Sequence, residues 1–212
     1  EEMYRNDFEN VKACSSDWLV EQRKDALDKF INLGFPDNKI EEWKYTNIKK
    51  IVNREYKISK NKEEVDISKF TDYEPRIILI NGILSEDVSI LPEEIEIMPL
   101  IEAIEKDVIG REMFEDNRMN EDSFWTMNTA FMDAGIYLKV PDGLQINNPI
   151  LMMNITTSVE TPTICHPRNI IEIGKDAKLS IMEQYIDSGN EDMLTNAVTQ
   201  IYTEENGVVE HI

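Results

Sequence analysis

The sequence predicts a mixed fold in two parts: a mainly helical N-terminal domain over residues 1–123, then, over residues 124–212, the first coils of a right-handed parallel β-helix, an all-β solenoid. Three observations lead there. Apolar residues recur at helical spacing near the start, the texture changes after Phe124 to short β-rich runs separated by turns, and three of those turns superpose. The superposing segments are Val140-Pro141-Asp142-Gly143-Leu144-Gln145-Ile146, then Ile173-Gly174-Lys175-Asp176-Ala177-Lys178-Leu179-Ser180-Ile181, then Tyr202 through Gly207 to Ile212. Ala177 follows Gly143 by 34 residues, and Gly207 follows Ala177 by 30. A strand, acidic turn, strand unit at near-constant period suits a solenoid, because one coil buries its apolar face only when the next stacks on it. A β-sandwich, with strands every ~8–12 residues, is the competing architecture.

Taken in order, Leu19, Arg23, Ala26, Phe30 and Leu33, widened by Trp18, Leu27 and Ile31, predict an amphipathic helix from about Asp17 to Leu33. Ser15, Ser16 and Asp17 offer N-cap oxygens, and Gly34 followed by Pro36 supplies the stop. Asn38, with Glu41 three residues on, opens a short helical turn carrying Trp43. Residues 53–75 are polar and rich in Lys and Glu, and read as loop. Arg76 to Ile80, Asn81-Gly82 and Ile83 to Ile90 form a hairpin pattern, since Asn-Gly takes the positive φ angles of a type I′ turn. Pro92 breaks that pattern, Pro99 opens a helix with Leu100, Ile104 and Val108 on one face, and Met113 belongs to a further helical piece after Gly110. The polypeptide stops on a strand at Glu210-His211-Ile212 with no capping repeat, which leads to the expectation of a longer parent protein, as does a start at Glu1 rather than Met.

The formal charge of -20, from 22 basic and 42 acidic side chains, repels a phosphate backbone and excludes nucleic acid as the expected partner. No Lys or Arg follows Lys178. One window runs the other way: Lys39, Lys44, Lys49, Lys50, Arg54, Lys57, Lys60 and Lys62 outnumber Asp37, Glu41, Glu42 and Glu55. Cys14 and Cys165 are far apart and lie in no CxxC or Cys/His metal spacing, so neither a disulfide framework nor a zinc module is signalled. Apolar runs such as Ile150-Leu151-Met152-Met153 fall far short of the ~20 residues of a membrane span. The chain reads as soluble and cytoplasmic.

Three ionisable residues are candidates for chemistry: Glu183, His211 and His166. Leu179, Ile181, Glu183 and Tyr185 share one strand parity, which puts Glu183 on the apolar side. Stacking the third repeat on the second sets Val209 beside Leu179 and His211 beside Ile181, so a carboxylate and an imidazole meet on one inner face. Such a pair is a proton or metal site, or a satisfied core pair. His166 sits in Cys165-His166-Pro167-Arg168-Asn169, where Pro167 holds it extended and Arg168 and Asn169 secure the backbone entering the next strand. Cys14 has only Lys12 as a nearby cation, a poor setting for a thiolate. Trp43 and Tyr45 can stack on a ligand or anchor an interface. With no phosphate loop, GxGxxG, HExxH, GxSxG or CxxC, the residues read as a scaffold rather than an enzyme.

An ordered set of motifs spans most of the chain: Trp18-Leu19, Arg23, Ala26 and Phe30; Gly34-Phe35-Pro36; Glu41-Glu42-Trp43-Lys44-Tyr45-Thr46-Asn47; Asn128-Thr129-Ala130-Phe131 with Gly135; Pro149-Ile150; Pro167-Arg168-Asn169; Gly174 with Ala177; Glu183; and Thr195-Asn196. In this order they resemble the SufB/SufD family of iron-sulfur cluster assembly proteins. The SufD branch is the nearer, because SufB-like proteins place a Cys soon after the Glu that corresponds to Glu183, where this chain has Glu183-Gln184-Tyr185. An Arg that SufB-like relatives carry near Pro149 to Ile155 is also replaced here by Met152-Met153-Asn154. The resemblance implies a helical N-terminal domain before a parallel β-helix. It implies a subunit of the SUF scaffold complex, paired with a SufB-like paralogue and a SufC-like ABC-type ATPase, in which nascent clusters are assembled. No cofactor is expected on this stretch, which matches roughly the N-terminal half, while the full complex handles an iron-sulfur cluster. No family ligand carries over, and self-association in isolation is compatible with the pattern. The other readings are a β-helix carbohydrate-active enzyme, which lacks an acidic pair beside a basic residue after Lys178, and a protein-binding module using the basic window with Trp43 and Tyr45.

Overall fold

The computed structural model describes residues 8–9, 11, 16–59, 64–115, 121–158 and 161–212. Lys12, Cys14, Ser15, Lys60 and Lys62, singled out above, lie outside them. Helix α1 runs Asp17–Leu33 and buries Leu19, Arg23, Ala26, Leu27 and Phe30, the face its spacing predicts. Gly34, at φ 67°, ends it and donates its N–H to Phe30 O. A 3-10 turn at Glu41–Trp43 and the short helix α2 (Lys49–Val52) follow. Past Pro99 comes α3 (Leu100–Glu105), which buries Leu100, Ala103 and Ile104. Ile109 replaces the expected Val108 in that cluster, because Val108 remains exposed.

Helix α4 (Ser123–Phe131) packs along α1 through Met127, Ala130 and Phe131 against Ala26, Leu27 and Phe30. Its N-cap is Asp122, whose carboxylate accepts from Trp125 N at 2.7 Å. Asp122→Ala is expected to cost about 1 kcal/mol of stability, read as a lowered urea midpoint at unchanged slope.

Among the described residues, twelve strands build three sheets. They are β1 (Lys57–Ile58), β2 (Arg76–Ile80), β3 (Ile83–Leu84), β4 (Glu96–Pro99), β5 (Ile136–Val140), β6 (Ile150–Thr156), β7 (Thr163–Cys165), β8 (Arg168–Ile173), β9 (Lys178–Asp187), β10 (Met193–Thr195), β11 (Val198–Thr203) and β12 (Val208–His211). Their orders are β1-β7-β10, β11-β8-β5-β4 and β12-β9-β6-β2-β3. From β5 onward the chain visits the three sheets in rotation. Parallel partners on β7/β10, β8/β11 and β9/β12 therefore lie 30 residues apart: Thr163 with Met193, Arg168 with Val198, Lys178 with Val208.

The expected fold class needs correction. A mainly helical N-terminal domain followed by a right-handed parallel β-helix is overturned by the content and pairing of the strands: strand outweighs helix, 32% against 26%, and the sheets are parallel and mixed. Antiparallel pairs β2/β3 and β4/β5 edge two of them. The physical reason lies in residues 57–99, which hold four strands, two of them, β1 and β4, in stretches whose local pattern gives no strand signal. The apolar run Arg76–Ile80 pairs with β3 as the hairpin pattern predicts, through Asn81 (φ 53°) and Gly82 (φ 79°), but its other edge pairs in parallel with β6, Ile77 opposite Met152. That long-range partner leaves no trace in local periodicity.

Alternation sorts the side chains. Ile136, Leu138 and Val140 of β5, Ile171 and Ile173 of β8, Ile150 and Met152 of β6, and Leu179 and Ile181 of β9 form one buried cluster between the four- and five-stranded sheets. The opposite face of the four-stranded sheet, with Tyr137 and Ile170, is covered by Leu19, Leu100 and Ile104. The opposite face of the five-stranded sheet, with Ile78, Ile80, Leu151, Met153 and Ile155, is covered by Ile67, with Val65 and Phe70 beside it. Each such aliphatic side chain contributes roughly 1.5–3 kcal/mol when fully buried.

Candidate functional site

The core between the two larger sheets turns polar toward one end. On β9, Leu179 and Ile181 enter the central cluster while Met182 and Ile186 pack on the opposite face, so Glu183 and Tyr185 keep the inward parity. Glu183 stands opposite Met152, and its side chain is only 7% exposed. Val209 pairs with Leu179 and His211 with Ile181, the register expected from the repeat. His211 Nε2 consequently lies 2.8 Å from Glu183 Oε2.

Three further groups close on the carboxylate, and a fourth holds one of them. Tyr185 Oη donates to Oε1 at 2.6 Å, Asn154 Nδ2 approaches the same oxygen at 3.4 Å, and Thr199 Oγ1 is 3.2 Å from both oxygens. Asn169 Nδ2 donates to Thr199 Oγ1 at 3.2 Å. Burial, reinforced by the hydrogen bond and the negative charge of Glu183, holds the Tyr185 hydroxyl protonated well above the ordinary tyrosine range. The backbone adds Glu183 N to Ile212 O at 2.8 Å, which carries the pairing of β9 with β12 one residue past the Glu183–His211 contact.

This arrangement is a carboxylate surrounded by polar groups from four strands, β6, β9, β11 and β12, able to hold an imidazole in place and to accept its proton. Glu183 and His211 offer two metal-ligand groups, and among the described residues no group of three His, Cys, Asp or Glu exists. Stable transition-metal sites draw on three or four protein ligands, of which Glu183 and His211 supply two.

His166 stands apart from that pair. It is fully buried, its ring 5.5 Å from that of Phe131, with Asn196 Nδ2 3.2 Å from Nδ1. Burial pushes its pKa down to about 3. The sign follows from linkage: between that value and the ordinary 6.5 the unfolded chain binds a proton that the folded chain refuses, so stability is lost as pH falls through this window. The expected slope is about 1.4 kcal/mol per pH unit, absent in His166→Asn, as measured by urea unfolding between pH 4 and 6 (~one proton). Cys165, beside Thr156 and Thr195, is buried as well, and burial pushes its thiol pKa up.

Sequence reasoning missed a convergence. Asn128, on α4, donates to Pro167 O at 2.9 Å and to Asn196 O at 2.7 Å. Arg168, also buried, lies over the Trp125 ring at 4.3 Å and donates to Gln200 Oε1 at 2.9 Å and Thr129 Oγ1 at 2.5 Å. Arg168 faces out of the sheet toward α4 while its neighbour Asn169 faces in toward Thr199 and Glu183. Motifs separated by 30 to 70 residues thus meet at one junction of helix and strands; the 30-residue register was the signal that could have shown it.

The motif of residues 34–47 divides in two. Phe35 packs edge-on against Phe30 at 5.2 Å, and Trp43 stacks on Phe124 at 5.2 Å, so Trp43 is an anchor. Tyr45 is 90% exposed.

Comparison with known proteins agrees with the motif set. The family profile for the SufBD protein N-terminal region matches residues 1–152. An iron-sulfur cluster assembly SufBD family protein from Synechocystis is 24% identical over 221 aligned positions, covering 95% of this chain and 48% of the relative. The chain spans about half the length of that curated relative.

Proposed function

This chain belongs to the SufBD family, and from that premise we propose that it serves as a SufD-like subunit of a SUF iron-sulfur cluster assembly complex. In this reading it pairs with a SufB-like paralogue, works with a SufC-like ATPase in the cytoplasm, and acts as a scaffold rather than a catalyst. Among the described residues no helix is long and apolar enough to cross a membrane. The observation that carries the SufD assignment is the surroundings of Glu183. Where a SufB-like strand places a thiol soon after the glutamate, Tyr185 follows here and spends its hydroxyl on the carboxylate. The described cysteine, Cys165, is a buried thiol with a raised pKa, unsuited to accept or pass on sulfur.

The test is co-expression of the full-length protein with a SufB-like and a SufC-like partner, with the tag on this chain. Recovery of all three in one size-exclusion peak is expected. Elution of this protein alone, while the other two co-elute, would remove the proposal.

A further inference from the structure

Beyond the family assignment, we propose that the pocket beside Tyr45 docks an acidic peptide segment of a partner protein, with one aromatic or aliphatic side chain of that segment seated inside. The pocket measures about 450 Å³ and lies between Phe35-Pro36 and the stretch from Lys44 to Asn53. Phe35, Pro36, Ile48 and Val52 supply apolar lining, and Lys44 and Lys49 add cationic groups, against one carboxylate, Asp37, which is engaged by Lys39.

Three features select the occupant. The walls are held from behind: Phe35 is wedged among Phe30 and Phe124, with centroids 5.2 and 5.8 Å away, and Trp43 stacks on Phe124, so the pocket does not depend on a ligand for its shape. Tyr45 projects at the rim, 90% exposed, with the Lys44 ammonium 5.4 Å from its ring centre. Tyrosine in this position offers a large contact area at low entropic cost. The charge is also less acidic locally, since residues 37–57 hold six Lys or Arg against four Asp or Glu in a chain of net charge -20. Lys39, Lys44 and Arg54 are paired with Asp37, Glu41 and Glu191/Asp192, which leaves Lys49 and Lys50 among the cations that make no ion pair with a described residue. An acidic segment is drawn to this window and repelled elsewhere, which fixes where it lands. A long polyanion or an anionic membrane would extend beyond the window onto the acidic remainder, so a short peptide is the chemistry that fits.

The intact polypeptide, immobilised, would be panned against a random 12-residue peptide library, with Tyr45→Ala as the counter-selection target. Enrichment of sequences with Asp or Glu flanking Phe, Tyr, Trp, Leu or Ile is expected. A labelled enriched peptide should then lose at least tenfold in affinity on Tyr45→Ala and on Lys49→Glu, and again at high salt. Both side chains are surface groups, and unchanged circular dichroism would show that the variants fold. No enrichment, enrichment of basic sequences, binding indifferent to Tyr45→Ala, or equal binding by vesicles of anionic lipid would overturn the proposal. Because the readout needs no SUF partner, its failure leaves the subunit assignment standing, and the reverse also holds.

Discussion

Gly135→Ala is expected to remove at least about 4 kcal/mol of stability, enough to leave much of the protein unfolded. Gly135 has φ 109°, a region that side chains avoid, and a methyl there would stand 2.0 Å from Arg168 O and 2.6 Å from Arg168 N. The obstacle is the backbone of β8, so no rotamer change relieves it. Three segments also lean on this residue and its neighbour Ala134: Gly135 N donates to Gly82 O at 2.8 Å, Leu100 N donates to Gly135 O at 3.0 Å, and Arg168 N donates to Ala134 O at 3.0 Å. Moving the strand to make room would break all of them. With a urea slope on the order of 2 kcal/mol per M, the midpoint should drop by ~2 M. Gly34→Ala is the control, since its φ is also positive but nothing lies within 4 Å of the added carbon; it should cost only ~1–2 kcal/mol.

Arg168→Ala is expected to cost roughly 3–5 kcal/mol. The guanidinium is 1% exposed, with no carboxylate in ion-pair reach among the described residues, and burial pushes its pKa down to about 9. It is held by the Trp125 face and by the side-chain oxygens of Gln200 and Thr129. Removing it leaves those oxygens without their donor and opens a void beside Trp125. Arg168→Met, which fills the space without a charge to desolvate, should cost less than Arg168→Ala. Arg168→Lys should fall short of wild type because one ammonium cannot copy a fork of donors lying flat on the indole. Urea midpoints of the three variants check this order. Equal losses for Met and Ala would show that the guanidinium's charge and donors, which both variants lack, matter more than the packing.

Much of this was readable in the residues. Helix α1 carried its stripe and its Gly34 stop, the Asn81-Gly82 turn announced its hairpin, and the repeat placed His211 beside Ile181 and so beside Glu183. What stayed hidden shares one cause. Strand β1 is two residues, Lys57 and Ile58, in a polar stretch, and becomes a strand only by pairing with Thr163 and Ile164. The parallel partner of β2 lies some seventy residues away on β6. Pairing at such distance is decided by tertiary packing rather than by propensity, which is why the segment before Phe124 read as more helical than it is. At the site, the parity of Glu183 was legible, whereas Thr199 and Asn154 were not, because each arrives from a different strand.

The Asn81-Gly82 turn has a bearing on how the protein ages. Asn-Gly is the dipeptide most prone to spontaneous deamidation, in which the glycine nitrogen attacks the asparagine side chain and a ring closes. Here the Asn81 amide is 2% exposed and clamped at both ends by Thr157, Nδ2 to Oγ1 at 2.8 Å and Oδ1 from the backbone N–H at 2.8 Å. Ring closure requires that clamp to open. Conversion at this position therefore marks molecules that have spent time unfolded, and its slow gain on storage, told by peptide mapping from conversion at the exposed Asn206-Gly207, serves as a clock for that exposure.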